Sequence, residues 1–217
     1  MPPFAALSLE TVRALAAHAG QHGLLSIAHT TSLAAVETAV NADIDVLTHV
    51  PVDRPIDPRL AARIAAAGIV AIPTLVMMRG VSERVNTMRP GATSYDHARA
   101  SVAALCAAEV PIAAGTDSNA GPGSINAVQH GVSLHTELEL LVDAGLSPLQ
   151  ALQAAGTVPA QRLGLSDRGA VQPGLRADFL LLDADPTTDI AAAATIHQVW
   201  ISGRPLPTAT DPHRKGR

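Results

Sequence analysis

Four short apolar runs, each followed by a segment with helical spacing, constrain the fold of this chain more than any other feature. They read LLSIAH (24–29), IDVLTH (44–49), IVAIPTLVM (69–77) and VPIAAGT (110–116). A strand that is apolar at nearly every position is buried on both faces, the situation of a parallel strand covered by helices. The segments between them carry helix signals. Ser8 caps LETVRALAAHAGQHG, which stops near Gly23, and SLAAVETAVNA spans 32–42. DPRLAARIAAAG (57–68) has Asp57 as N-cap and Pro58 at the first helical position. A fourth helix runs from Ser94 to Ala108, and residues 79–93 read as a long loop of the kind that covers a site. After the fourth strand come a Gly-rich loop, NAGPGSINAVQHG, and two helices, 133–145 and 147–156. The second of these opens with Ser147, Pro148 and Gln150, a capping box. The fold class is therefore α/β, and in such folds sites gather at the C-terminal ends of the strands.

From Gly164 the pattern changes. GAVQPGLRADFLLLDADP and IHQVWISGRPL are strand-like, with turns at Pro173-Gly174 and Ser202-Gly203. The expected organisation is an α/β unit over 1–163, β strands over 164–207 and a flexible tail over 208–217. Aromatic residues make up only 2% of the chain, so the core rests on Ala, Leu, Val and Ile, and no stacking surface for single-stranded nucleic acid is available. The net charge of −4 with no basic stripe argues against a nucleic-acid or anionic-membrane partner. A single cysteine, Cys106, cannot form an internal disulfide and fits a reducing compartment and a plain core role. No apolar run reaches transmembrane length, which points to a cytoplasmic location.

Three polar residues fall at the ends of apolar runs: His29, His49 and Asp117. Taken one at a time, each is most simply a strand-end cap bonded to backbone, or the start of a turn. Three at equivalent positions suggest one shared site. Neutral imidazoles and a carboxylate are good ligands for Zn²⁺ and similar divalent ions. An aspartate beside an activated water can act as general base and later return the proton to a leaving group. His18 and His22 are four apart on the first helix but have no acidic companion there, and read as surface or packing residues. His97, with Tyr95 and Asp96 early in a helix, is expected to face solvent. His135 opens the helix over 133–145.

The ordered set IAHTTS, DVLTHVP, AAGTDS, SLHTELELLVDAGLSPLQALQAAG and GAVQPGLRADFLLLDADP…VWISGRPL resembles the metal-dependent amidohydrolase superfamily, in its imidazolonepropionase-like and prolidase-like branch. The resemblance runs from about Ser8 to Leu206. It implies a TIM-like (β/α)8 barrel of which this chain holds strands five to eight, followed by the closing strands of a small β-sandwich. It also implies hydrolysis of C–N bonds in amides or cyclic amides, a small-molecule substrate, and one or two divalent ions, Zn²⁺ first among them. His29 and His49 match metal histidines after strands five and six. Asp117 matches the aspartate after strand eight that touches metal and handles the proton of the attacking water. His135, opening a helix that matches a family segment, is by the same resemblance a candidate for a place beside the substrate or behind a ligand. The family's His-x-His pair and its carboxylated lysine have no counterpart here: no His-x-His occurs among the nine histidines, and the one lysine is Lys215. The chain is thus expected to be inactive alone, or to be a non-catalytic half-barrel. Such a half-barrel would associate with itself or with a separate N-terminal half, because four strands leave two open edges. A non-catalytic α/β binding module is the third alternative.

Overall fold

The computed structural model describes residues 6–119, 121 and 126–207. Three parallel strands, β1 (Ile27–His29), β2 (Val46–Thr48) and β3 (Val70–Ile72), lie side by side in chain order. Their register pairs Ile27 with Val46 and His29 with Thr48, then Val46 with Val70 and Thr48 with Ile72. The expected fourth strand contributes a single parallel bridge, Ile112 to Ala71. The N–H of Ala114 leaves the ladder and bonds the carbonyl of Ala154, 2.7 Å away on a helix, so pairing stops there.

The helices form where their caps predict. α1 (Leu9–Gln21), α2 (Leu33–Asn41), α3 (Pro58–Ala66), α5 (Tyr95–Ala107) and α7 (Pro148–Ala155) are capped by the side chains of Ser8, Ser32, Asp57, Ser94 and Ser147. The capping box at Ser147 and Gln150 is complete. α6 (Ser133–Asp143) and the short α8 (Thr157–Arg162) complete the helical layer. The segment 79–93, expected as a loop, is instead largely α4 (Leu75–Met88). Its polar residues are the solvent side of a helix that buries Leu75, Met77, Met78 and Ser82. The true loop is shorter, and Asn86 closes it by exchanging hydrogen bonds with the backbone of Thr93.

The alternation of side chains across the strands separates two apolar faces. Leu47, Ala71 and Ile112 point into the main core with residues of α2, α3, α4, α5 and α6. Val46, Val70 and Ala113 point the other way and meet Val158 of α8. β1 departs from the expected buried strand. Ile27 is 59% exposed and Leu24 64% exposed, because among the described residues no strand pairs with the outer edge of β1. That edge and helices α1 and α2 enclose an open groove of about 600 Å³, lined by apolar residues that include Leu7, Leu15 and Ile27.

After α8 a second sheet is antiparallel: β4 (Phe179–Leu182), β5 (Ile196–Ile201) and β6 (Arg204–Pro205). Phe179 and Trp200 stack across it, with ring centroids 4.8 Å apart. The expected strand character of GAVQPG is absent, and pairing begins only at Phe179. Ile190 and Ala193, in a 3-10 turn between β4 and β5, reach into the main core. His97 does not face solvent; it is half-buried, with Nδ1 3.1 Å from the carbonyl of Val52. Cys106 is half-buried and packs against the main core, and burial pushes its thiol pKa up. Among the described residues no helix is long and apolar enough to cross a membrane. The expected tail over 208–217 and most of the Gly-Pro-Gly turn lie outside the described residues.

Gly115 sits where the Ile112 segment crosses the end of β3. A Cβ added there would stand 2.5 Å from Cγ2 of Ile72. Gly115→Ala is therefore expected to lower stability by about 1–3 kcal/mol, read as an earlier urea midpoint with unchanged slope.

Candidate metal centre

The polar residues at the strand ends are placed by the same ladder that builds the sheet. The N–H of His49 bonds the carbonyl of Ile72 at 2.8 Å, extending the pairing of β2 with β3 by one residue. The N–H and hydroxyl of Thr30 both bond the carbonyl of Thr48, at 2.9 Å each, which fastens β1 to β2 immediately after His29. Asp45 does the same at the other end, accepting from the N–H and hydroxyl of Ser26.

This arrangement brings the rings of His29 and His49 together. Their centroids are 4.5 Å apart and the rings meet edge to face at 74°. The two environments differ sharply. His49 is 5% exposed, whereas His29 lies on the open edge strand and is exposed. The pKa of His49 is pulled down to about 4, first by burial and then by His29, with the charge of Asp117 partly opposing them. Its imidazole is therefore neutral at physiological pH, the form that donates to a metal. Its Nδ1 lies 2.6 Å from the hydroxyl oxygen of Thr74.

Asp117 follows the Ile112 bridge and Gly115. It is exposed, and its carbonyl accepts from the side-chain amide of Asn119 at 3.0 Å. Among the described residues no ion pair joins it to either histidine. The neighbouring hydroxyls of Thr116 and Ser118 bond each other at 2.6 Å rather than the Asp117 carboxylate. His135 lies in the first turn of α6, half-buried, and its Nδ1 is buried without a hydrogen-bond partner among the described residues.

Two features escaped the sequence. The first is backbone strain. His49, Thr74 and Asp117, which follow three neighbouring strand segments, have positive φ values of 72°, 51° and 51°. Left-handed backbone at non-glycine residues costs on the order of 1–3 kcal/mol each and concentrates at functional sites. The second is Glu137, which is 0% exposed. Its carboxylate accepts from the N–H groups of Leu75 (2.9 Å) and Val76 (2.8 Å). An acid in the run SLHTELEL looks like part of a solvated helix face, so only the location of its neighbours could reveal it.

The donor set fits a divalent ion in part. Two imidazoles in contact, one neutral and braced from behind by a hydroxyl, suit two positions around Zn²⁺. Among the described residues no three His, Cys, Asp or Glu side chains are gathered into a group that could hold a metal ion.

The comparisons with known proteins agree on one family. A profile described as "Amidohydrolase family" matches residues 2–206. Imidazolonepropionase of Deinococcus deserti is 32% identical over 203 residues, covering 91% of this chain and 46% of that protein. In solved structures, a Xaa-Pro dipeptidase with methionine bound in its active site superposes with a TM-score of 0.75 at 18% identity, over 93% of this chain and 49% of its own. Ochratoxinase of A. niger superposes with a TM-score of 0.74 at 24% identity, over 94% of this chain and 46% of its own. The chain thus spans about half the length of the relatives it matches.

The pKa of Glu137 is pushed up to about 7, with burial outweighing the two N–H bonds that favour its charge. A carboxyl whose folded pKa exceeds its unfolded value keeps its proton longer when folded, so it costs stability as pH rises. The cost begins near the unfolded value of 4.5, grows until the folded value of about 7, and is constant above it. The stability of the wild type relative to Glu137→Gln is expected to fall through that window, by about 1 kcal/mol or more, in urea titrations at stepped pH.

Proposed function

The chain belongs to the amidohydrolase family, and we propose that it is the part of a metal-dependent hydrolase that carries barrel strands five to eight. In this reading residues 1–163 are barrel, 164–207 are strands of the β-sandwich, and the protein works in the cytoplasm on a small amide or cyclic amide. The observation that carries it is the contact of His29 and His49 at adjacent strand ends, with His49 held neutral by burial. These two imidazoles and Asp117 would hold the ion, Zn²⁺ or a similar one, together with donors from polypeptide outside these 217 residues. When bound, such an ion polarises the scissile carbonyl and brings a water within reach of deprotonation at neutral pH.

The residues of this chain divide the remaining work. Asp117 accepts the proton of the attacking water and delivers it to the departing nitrogen. His49, neutral and braced by Thr74, keeps its geometry without competing for that proton. His135, in the first turn of α6 with a buried Nδ1, takes a place beside the substrate or behind a ligand. The names of the relatives suggest imidazolonepropionate and an Xaa-Pro dipeptide as the first substrates to try.

A second reading is favoured by the open edge of β1 and its apolar groove: a non-catalytic half-barrel that pairs with itself or with a separate N-terminal half. A stable monomer in light scattering at all concentrations counts against self-pairing.

Zinc titration of the purified chain by calorimetry tests the metal reading. The wild type is expected to bind, with His29→Ala and His49→Ala each weakening affinity by about tenfold or more. Failure of the wild type to bind, or unchanged affinity in His49→Ala, overturns it.

A further inference from the structure

Helix α4 starts without help from its own cap. Thr74 holds the N-cap position, but it has φ 51° and its side chain makes no bond to the first turn of the helix. A threonine in that place ordinarily spends its hydroxyl on the N–H groups that open the helix. Here those groups are met from 61 and 62 residues away, by the two carboxylate oxygens of Glu137 on α6. Val76 N–H and Leu75 N–H each take one oxygen, so the carboxylate spans the first turn and holds the strand-to-helix corner closed. The hydroxyl of Thr74 is thereby released, and it lies 2.6 Å from Nδ1 of His49. Both residues are buried, Thr74 at 2% exposure and His49 at 5%.

We propose that Glu137 is the positioning residue of His49, fixing through the Thr74 corner which tautomer and orientation the imidazole presents at the strand ends. Glu137 reaches the ring only through other residues. Its two acceptors fix the left-handed backbone of Thr74, and that backbone aims the hydroxyl. With Nδ1–H donating to the Thr74 oxygen, the lone pair of Nε2 is left for a ligand. Only this last step rests on the reading of His49 as a metal donor. The Thr74 hydroxyl can accept from Nδ1–H or donate to a bare Nδ1, and the first arrangement is the one that the metal reading requires, because it leaves Nε2 to the ligand.

The test is a long-range ¹H–¹⁵N spectrum of the imidazoles in the ¹⁵N-labelled protein, with zinc affinity as a second readout. In the wild type His49 is expected to show one tautomer, protonated on Nδ1. In Glu137→Gln the amide can accept from only one of the two N–H groups, and His49 should show tautomer exchange with zinc affinity weakened by about 10–100-fold. Thr74→Val should give the same mixture, and Thr74→Ser should restore the single tautomer. In the Thr74→Val background Glu137→Gln should change neither readout further, a non-additivity that general destabilisation does not produce. Should Glu137→Gln fail to fold, Glu137→Asp, which draws both acceptors back by one methylene, reads the same signals. A folded Glu137 variant with an unaltered His49 tautomer overturns the proposal, as do fully additive effects in the double variant. A wild type with one tautomer protonated on Nε2, or with no zinc binding, overturns the metal reading instead and leaves the positioning to be judged on the variants.

Discussion

Two hydrogen bonds, from Leu75 and Val76 to the carboxylate of Glu137, tie the end of the sheet to the helical layer. A fully buried carboxylate is costly to leave unpaired, and among the described residues no cation is bonded to it. Its compensation is the pair of otherwise unmatched N–H groups at the start of α4, where the helix dipole also favours negative charge. That compensation is incomplete, since burial still raises its pKa to about 7. The residual cost fixes a corner that packing alone would leave loose. α4 packs on α5 and α6, and the same corner carries the hydroxyl that meets His49.

The sheet divides its two faces by parity, and the division explains why the two histidines differ. Val46 and Val70 are buried on the face that also carries Thr48 and Ile72, because β2 and β3 have neighbours on both sides. His29 shares that face through its pairing with Thr48, but β1 has a neighbour on one side only. Its N–H and C=O groups on the far side face the groove lined by α1 and α2. Burial therefore rises from His29 to His49 across a single strand spacing.

What could be read in the sequence was whatever is decided locally. Ser8, Asp57 and Ser147 each announced a helix as caps, and their cap bonds are present, as are those of Ser32 and Ser94 at the starts of two further helices. α4 was hidden because its cap is supplied from α6, so its first turn carries no signal of its own. The 110–116 run is as apolar as a strand, yet Gly115 and the diverted N–H of Ala114 reduce it to one bridge. The order of the strand-end residues along the chain was legible, and so was the family. The left-handed backbone at His49, Thr74 and Asp117 was not, because none of them is a glycine and nothing local demands it.

Charge balance decides what the strand ends can hold. Imidazoles supply lone pairs but no negative charge, and His49 is too buried for water to screen a divalent cation beside it. The acidic group whose charge reaches His49 is Asp117, and it opposes the downward shift that burial imposes on the ring. Glu137, although close along the same corner, is committed to two backbone donors. In the proposed reading, a cation held by the two imidazoles would draw on Asp117 for neutrality. The left-handed backbone at Asp117, on an exposed turn one residue past Thr116, would set how its carboxylate approaches.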